Sequence, residues 1–275
     1  MLKTGNPLVR RCSPMLETTR HEITRRVRGT TALTVGICLY VAFIVWYFTL
    51  LEPSAYEELT QSLPPAMQSA FGVQSLSSIG GWLGGQVYTF LWLLGLGIYF
   101  AYTSAGMIAG DVETGRMDLL LSFPVSRAQL VAEKFAALLL PLLVLNLVVG
   151  VVTYSFVVVV GETIDPLYLV TAHLLSVPYF LVCGGIGLLL SVSVDRAAVA
   201  ERLAAGLVFA LWLIESVVGT ATNFAWIRFL SPTHYYDPTP ILVEGTYNLL
   251  DGGILLVGFV ALLGASQLLF RRRDV

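Results

Sequence analysis

Charged side chains are scarce in this sequence: they make up 12% of its 275 residues, against about a quarter in an ordinary soluble domain. A water-soluble fold of this size could not cover its apolar atoms with so few, because its surface is large relative to its volume. Lysine is almost missing, with only Lys3 and Lys134. A Walker A loop needs Gly-x-x-x-x-Gly-Lys-Ser/Thr, so that backbone amides and one lysine cradle phosphates. Neither lysine follows a glycine, which excludes a phosphate loop of that kind. Only three histidines occur, His21, His173 and His234. They form no His-Glu-x-x-His zinc motif, and there is no Gly-x-Ser-x-Gly elbow. An enzyme built on either device is excluded. The three cysteines, Cys12, Cys38 and Cys183, have neither metal nor redox spacing. Cys12 lies in a basic tail, and the other two are read as small buried hydrophobes.

What is present is apolar: 56% of residues are hydrophobic and the mean hydropathy is +0.77. Six apolar runs, near residues 31–51, 84–108, 135–160, 167–194, 203–222 and 252–270, are long enough to cross hydrocarbon about 30 Å thick. Each must be a helix, since an isolated strand would leave its backbone groups unpaired in lipid. The expected fold is all-α, an integral membrane protein of six spans. The first run is too long for the apolar region of a cleaved signal peptide and starts far in, so it is expected to act as a signal anchor.

The basic residues set the orientation. Seven precede the first run: Lys3, Arg10, Arg11, Arg20, Arg25, Arg26 and Arg28. Arg116, Arg127 and Lys134 lie between runs two and three, and Arg196 and Arg202 between four and five. Arg271, Arg272 and Arg273 follow the sixth. With six crossings, 15 of the 16 basic residues share one side, and only Arg228 faces the other. Positive charge stays inside, so both termini are expected in the cytoplasm of a multi-pass protein of the plasma membrane.

Before the first run, Ser13 and Pro14 suit the start of a helix. Leu16, Ile23 and Val27 fall roughly on one face among arginines, as in a helix lying on the inner membrane surface. Of the two outer loops, 223–251 holds Pro232, Pro238 and Pro240 with Trp226, Tyr235, Tyr236 and Tyr247. Proline excludes a continuous helix there. The loop is expected to fold as short interfacial helices, with its aromatic residues at the membrane–water boundary. Glycine clusters at Gly80, Gly81, Gly84 and Gly85, and at Gly184, Gly185 and Gly187, suit close helix packing. Two ionisable residues fall inside apolar runs, His173 in the fourth and Glu215 in the fifth. Each is about twenty residues from the turn near Asp195, so a rise of about 1.5 Å per residue puts them at similar depth. A His173–Glu215 polar pair is the resulting expectation, since pairing lowers the cost of burying either group.

The most informative segment is 110–134, GDVETGRMDLLLSFPVSRAQLVAEK. It contains a short amphipathic piece, 117–123, with Leu119, Leu120 and Leu121 expected to be exposed. Gly115 breaks the chain before it and Pro124 ends it. Ser126 and Gln129 then form a capping box that restarts a helix into the third span. A short helix held between two spans can pass a push on itself to both.

This segment resembles the signature of ABC transporter permeases of the type-two, export-type family. There a Glu is followed by Gly-Thr-Leu-Glu, a leucine-rich run, Ser-x-Pro-Val-Ser-Arg and a Lys. Here the series reads Glu113, Gly115-Arg116-Met117-Asp118, Leu119 to Leu121, Ser122-Phe123-Pro124-Val125-Ser126-Arg127 and Lys134. Arg116 stands for the usual Thr and Asp118 for Glu. Leu63-Pro64-Pro65-Ala66 and the terminal Phe270-Arg271-Arg272-Arg273-Asp274 are also similar to the family.

The resemblance implies a single permease domain over 1–275, with a cytoplasmic segment 1–30, a coupling loop 109–127 and an outer interfacial loop 223–251. It implies dimerisation with a second permease subunit, as a homo- or heterodimer, and a separate ABC ATPase subunit docked on the coupling helix. The coupling residues would be Glu113, Gly115, Arg116, Asp118, Leu119, Leu120, Pro124 and Arg127. No cofactor is expected on this chain, and ATP and Mg would sit on the ATPase. The lipid bilayer is a partner, and nucleic acid is not. A secondary transporter or channel without an ATPase is the alternative; its mark would be a broken span with ionisable groups at mid-membrane.

Overall fold

In a computed structural model, residues 15–50, 64, 78–122, 125–218 and 225–273 are described, with side chains from Val27 onward and without those of Val218 and Ala225. The described residues are mainly helical, with no strand among them, and six helices are long and apolar enough to cross a membrane. The elements are α1 (Met15–Phe48), α2 (Ile79–Glu113), α3 (Arg116–Leu121), α4 (Arg127–Ala136), α5 (Leu139–Val159), α6 (Pro166–Ser193), α7 (Ala197–Val218), α8 (Pro238–Glu244) and α9 (Leu249–Arg272). Two 3-10 turns, Ala225–Leu230 and Pro232–Tyr235, precede α8. The spans are α1, α2, α4 with α5, α6, α7 and α9, in the order expected. Ser13 and Pro14 lie outside the described residues. The segment after them is helical from Met15 and runs into the first span without a break.

α6 is the axis of the bundle. It packs on α2, α5, α7, α8 and α9, and most of its length is buried. Tyr179, Phe180, Cys183 and Leu188 are among the residues it buries in the core. Glycine makes the α2–α6 contact possible: a Cβ on Gly187 would lie 2.0 Å from the carbonyl oxygen of Ala101. A Cβ on Gly80 would likewise lie 2.7 Å from the carbonyl oxygen of Leu242 in α8. Both follow the packing rule for small residues between membrane helices.

α2 departs from regular α geometry. Between Gly84 and Leu96 its backbone bonds run from i to i+5, a wider winding that places one extra residue in the turn. Tyrosine hydroxyls of neighbouring helices donate into this stretch, Tyr40 to the Gln86 carbonyl at 3.1 Å and Tyr179 to the Leu93 carbonyl at 3.1 Å.

The 225–248 connection folds as short helices, and polar caps start its later elements. Ser231 caps the turn that begins with Pro232, Asp237 caps α8 and Asn248 caps α9. Proline at the first position suits the first two of these starts, because its missing N–H would have no helical partner there. Trp226 and Tyr247 are exposed, as expected of boundary residues. Tyr236 corrects that expectation: it is buried, and its hydroxyl donates to the Ala172 carbonyl of α6 at 2.8 Å.

Candidate coupling site

Gly115 makes the break between α2 and α3. Its φ of 68° is left-handed, a conformation glycine adopts without steric cost. Thr114 closes the end of α2 by donating its hydroxyl to the Gly110 carbonyl at 2.7 Å. The chain then turns once as α3. Met117 is buried at 1% exposure, whereas Leu119 is 68% exposed and Asp118 is exposed beside it. Leu120 and Leu121 are half-buried against the core. The expectation of three exposed leucines is therefore corrected to one. In a helix, positions three and four apart share a face, so Met117, Leu120 and Leu121 point inward together while Leu119 points out. Phe123 and Pro124 lie outside the described residues.

Ser126 starts α4 by accepting from the Gln129 amide at 3.2 Å. The reciprocal half of the expected capping box is replaced: the Gln129 side chain donates to Glu133 at 3.0 Å. Arg127 turns to the end of α9, donating to the carbonyls of Phe270 and Arg273 and lying 5.8 Å over the Phe270 ring. A cation is favoured there, because the last carbonyls of a helix carry partial negative charge. Arg273 in turn donates to the Val192 carbonyl and pairs with Asp195. Glu113 accepts from the Ala197 amide at 2.9 Å and so caps α7. Two of the expected coupling residues, Glu113 and Arg127, thus tie helix ends together, while Arg116, Asp118 and Leu119 are exposed.

Beneath α3 lies an ion cluster that sequence reasoning missed. Asp111, buried at the end of α2, pairs with Lys134 of α4 and with Arg116 of α3, the latter at 3.1 Å. Lys134 is itself 2% exposed. A signal existed: a lone lysine beside the apolar start of a span needs an anion, and only Asp111, Glu113, Asp118 and Glu133 are near in sequence. A cleft of about 440 Å³ opens next to the cluster, lined by Tyr102, Gly106, Asp111, Glu113, Arg116 and Glu201, among others. α3, the α6–α7 turn and the end of α9 are linked by these bonds at one end of the bundle.

The His173–Glu215 pair is corrected, because each residue has other partners. Asn146 donates its amide to the Leu142 carbonyl, so its oxygen accepts from Ser176 at 2.9 Å and from His173 Nδ1 at 3.3 Å. Nε2 is then the acceptor for the Tyr88 hydroxyl at 2.8 Å. A neutral imidazole satisfies every bond of this set. Trp92 stacks edge-on against the ring, with centroids 4.7 Å apart. His173 and Asn146 supply polar atoms to the wall of an otherwise mainly apolar groove of about 460 Å³ between α5 and α6. Glu215 meets the 225–248 connection instead, with His234 Nδ1 at 3.1 Å and Arg228 Nε at 3.9 Å. Equal depth set no azimuth: His173 faces α2 and α5, and Glu215 faces the 3-10 turns.

No curated protein matches the chain. The family described as ABC-2 family transporter protein matches residues 19–275, which takes in all six spans, α3 and the ion cluster. The chain belongs to that family and is a membrane permease of an ABC transporter.

Proposed function

We propose that this permease is the membrane half of an exporter energised by a separate ATPase subunit that docks on α3, with ATP and Mg held on that subunit. The family generally pairs with an ABC ATPase. The observation that carries the reading is the division of α3 into a buried anchor, Met117, and an exposed apolar side chain, Leu119, flanked by Asp118 and Arg116. An exposed leucine beside charges on a tethered turn is the form of a protein docking site. Leu119→Asp is expected to leave the protein inserted but to weaken association with its ATPase by about 2 kcal/mol, roughly thirtyfold in Kd. Titration of the co-expressed ATPase onto the purified permease in nanodiscs checks this. Undiminished affinity would remove α3 as the docking element.

The orientation that this function needs has both termini and α3 in the cytoplasm. The charge asymmetry supports it, since Arg228 alone belongs to the opposite end and basic residues stay on the cytoplasmic side. A cysteine appended after Val275, in a background lacking the native cysteines, is expected to resist an impermeant maleimide in intact cells. Permeabilisation should expose it. Efficient labelling of intact cells would reject the orientation.

A further inference from the structure

We infer that Asp111 is the positioning residue of the coupling helix: one buried carboxylate that fastens α3 to the spans on both sides. The inference rests on the reading of α3 as the docking element and adds how that element is held.

A helix of six residues has no stability of its own, because nucleation is costly and few bonds follow it. α3 must be held by its surroundings. Gly115 precedes it in a left-handed conformation, and a Cβ at that position would meet nothing within 4 Å, so the N-terminal link has no packing to stiffen it. Met117, Leu120 and Leu121 pack inward, but apolar contacts are non-directional and set no rotation. Direction comes from Arg116, whose guanidinium reaches Asp111 Oδ1 at 3.1 Å and Thr114 Oγ1 at 3.0 Å. Asp111 is 5% exposed, and its second oxygen is held by Lys134. The carboxylate is therefore fixed from below by α4 and presented upward to α3.

Charge-assisted bonds are the strong and oriented ones, so the triad converts the position of α3 into the positions of α2 and α4. A partner that pulls or tilts α3 acts on both spans through Asp111. Lys134 has the complementary role: it makes a buried carboxylate tolerable at the C-terminal end of α2, where the helix dipole disfavours negative charge.

The test separates positioning from stability. A spin label is placed at Leu119→Cys in the full chain, with Cys12, Cys38 and Cys183 replaced by Ala, in nanodiscs. Asp111→Leu with Lys134→Met removes both charges of the buried pair together. This double variant is expected to melt close to the parent, while the mobile fraction of the label rises about tenfold, the ratio that ~1.4 kcal/mol produces. Arg116→Gln leaves the buried Asp111–Lys134 pair intact and is expected to mobilise the label to a similar degree. Arg116→Lys, which keeps a cation, should restore most of the order. A label equally immobile in the double variant and in Arg116→Gln would overturn the proposal. ATPase binding is read in parallel on the same variants with Leu119 unchanged and unlabelled. A mobile label with undiminished binding would sink docking on α3 and leave the positioning role of Asp111 standing.

Discussion

Lys134→Met is expected to destabilise the permease by about 3–5 kcal/mol, the cost of leaving a buried charge without its partner. The substitution keeps an unbranched side chain of nearly the same length and removes the ammonium. Among the described residues Asp111 would then stay buried with Arg116 as its remaining cation, and Arg116 is half exposed and lies at one carboxylate oxygen. Removing both charges is a different matter, since an apolar pair of similar volume is often as stable as a buried ion pair. Asp111→Leu should therefore rescue Lys134→Met, an interaction energy that a double-mutant cycle reads directly. Thermal unfolding in detergent, followed by loss of monodisperse protein on size exclusion, checks both variants. A single variant as stable as the parent would show that Asp111 and Lys134 do not depend on each other.

Gly187→Ala is expected to be the most damaging small substitution in the spans. Its Cβ would meet the Ala101 carbonyl oxygen at 2.0 Å, with the carbonyl carbon at 2.8 Å and the Cα at 3.0 Å. All three are backbone atoms, so no rotamer change can make room. The two helices must separate at this contact, and interiors do not deform continuously. A cost of about 3 kcal/mol or more follows, at the upper end of overpacking effects. Gly206→Ala is the control, because a Cβ there meets nothing within 4 Å. It lies inside α7 and should gain up to about 1 kcal/mol from helix propensity. Denaturation midpoints of the two variants should move in opposite directions. Equal tolerance at both sites would mean that α2 and α6 are not in close contact at Gly187.

The contrast between these two glycines marks what a sequence can and cannot report. Both sit in apolar runs, and although Gly187 belongs to a glycine cluster suited to close packing, the sequence does not show what each glycine meets. Only the partner helix does, by bringing Ala101 against one and nothing against the other. The ion cluster shows the same limit. Asp111 and Lys134 are 23 positions apart, and three other carboxylates lie as near to Lys134 in the chain or nearer. Which one is buried with it depends on how α2 and α4 cross. Glu113, two residues after Asp111, instead turns toward Ala197 and caps α7.

By itself the sequence determined the six spans, their order, the break at Gly115 and the restart at Ser126. Those features follow from apolar length in a solvent that tolerates only internally bonded backbone, and from local chemistry: φ > 0 at glycine and a hydroxyl capping an amide. The signature between Glu113 and Lys134 also carried the family. Azimuth was left to the tertiary structure. It turned His173 toward Tyr88 and Asn146, turned Glu215 toward His234, buried Tyr236, and left Leu119 alone exposed among the three leucines of α3. The physical reason is that hydropathy and helix rise fix a residue's depth along the membrane normal, whereas rotation about each helix axis is set by packing against neighbours distant in the chain.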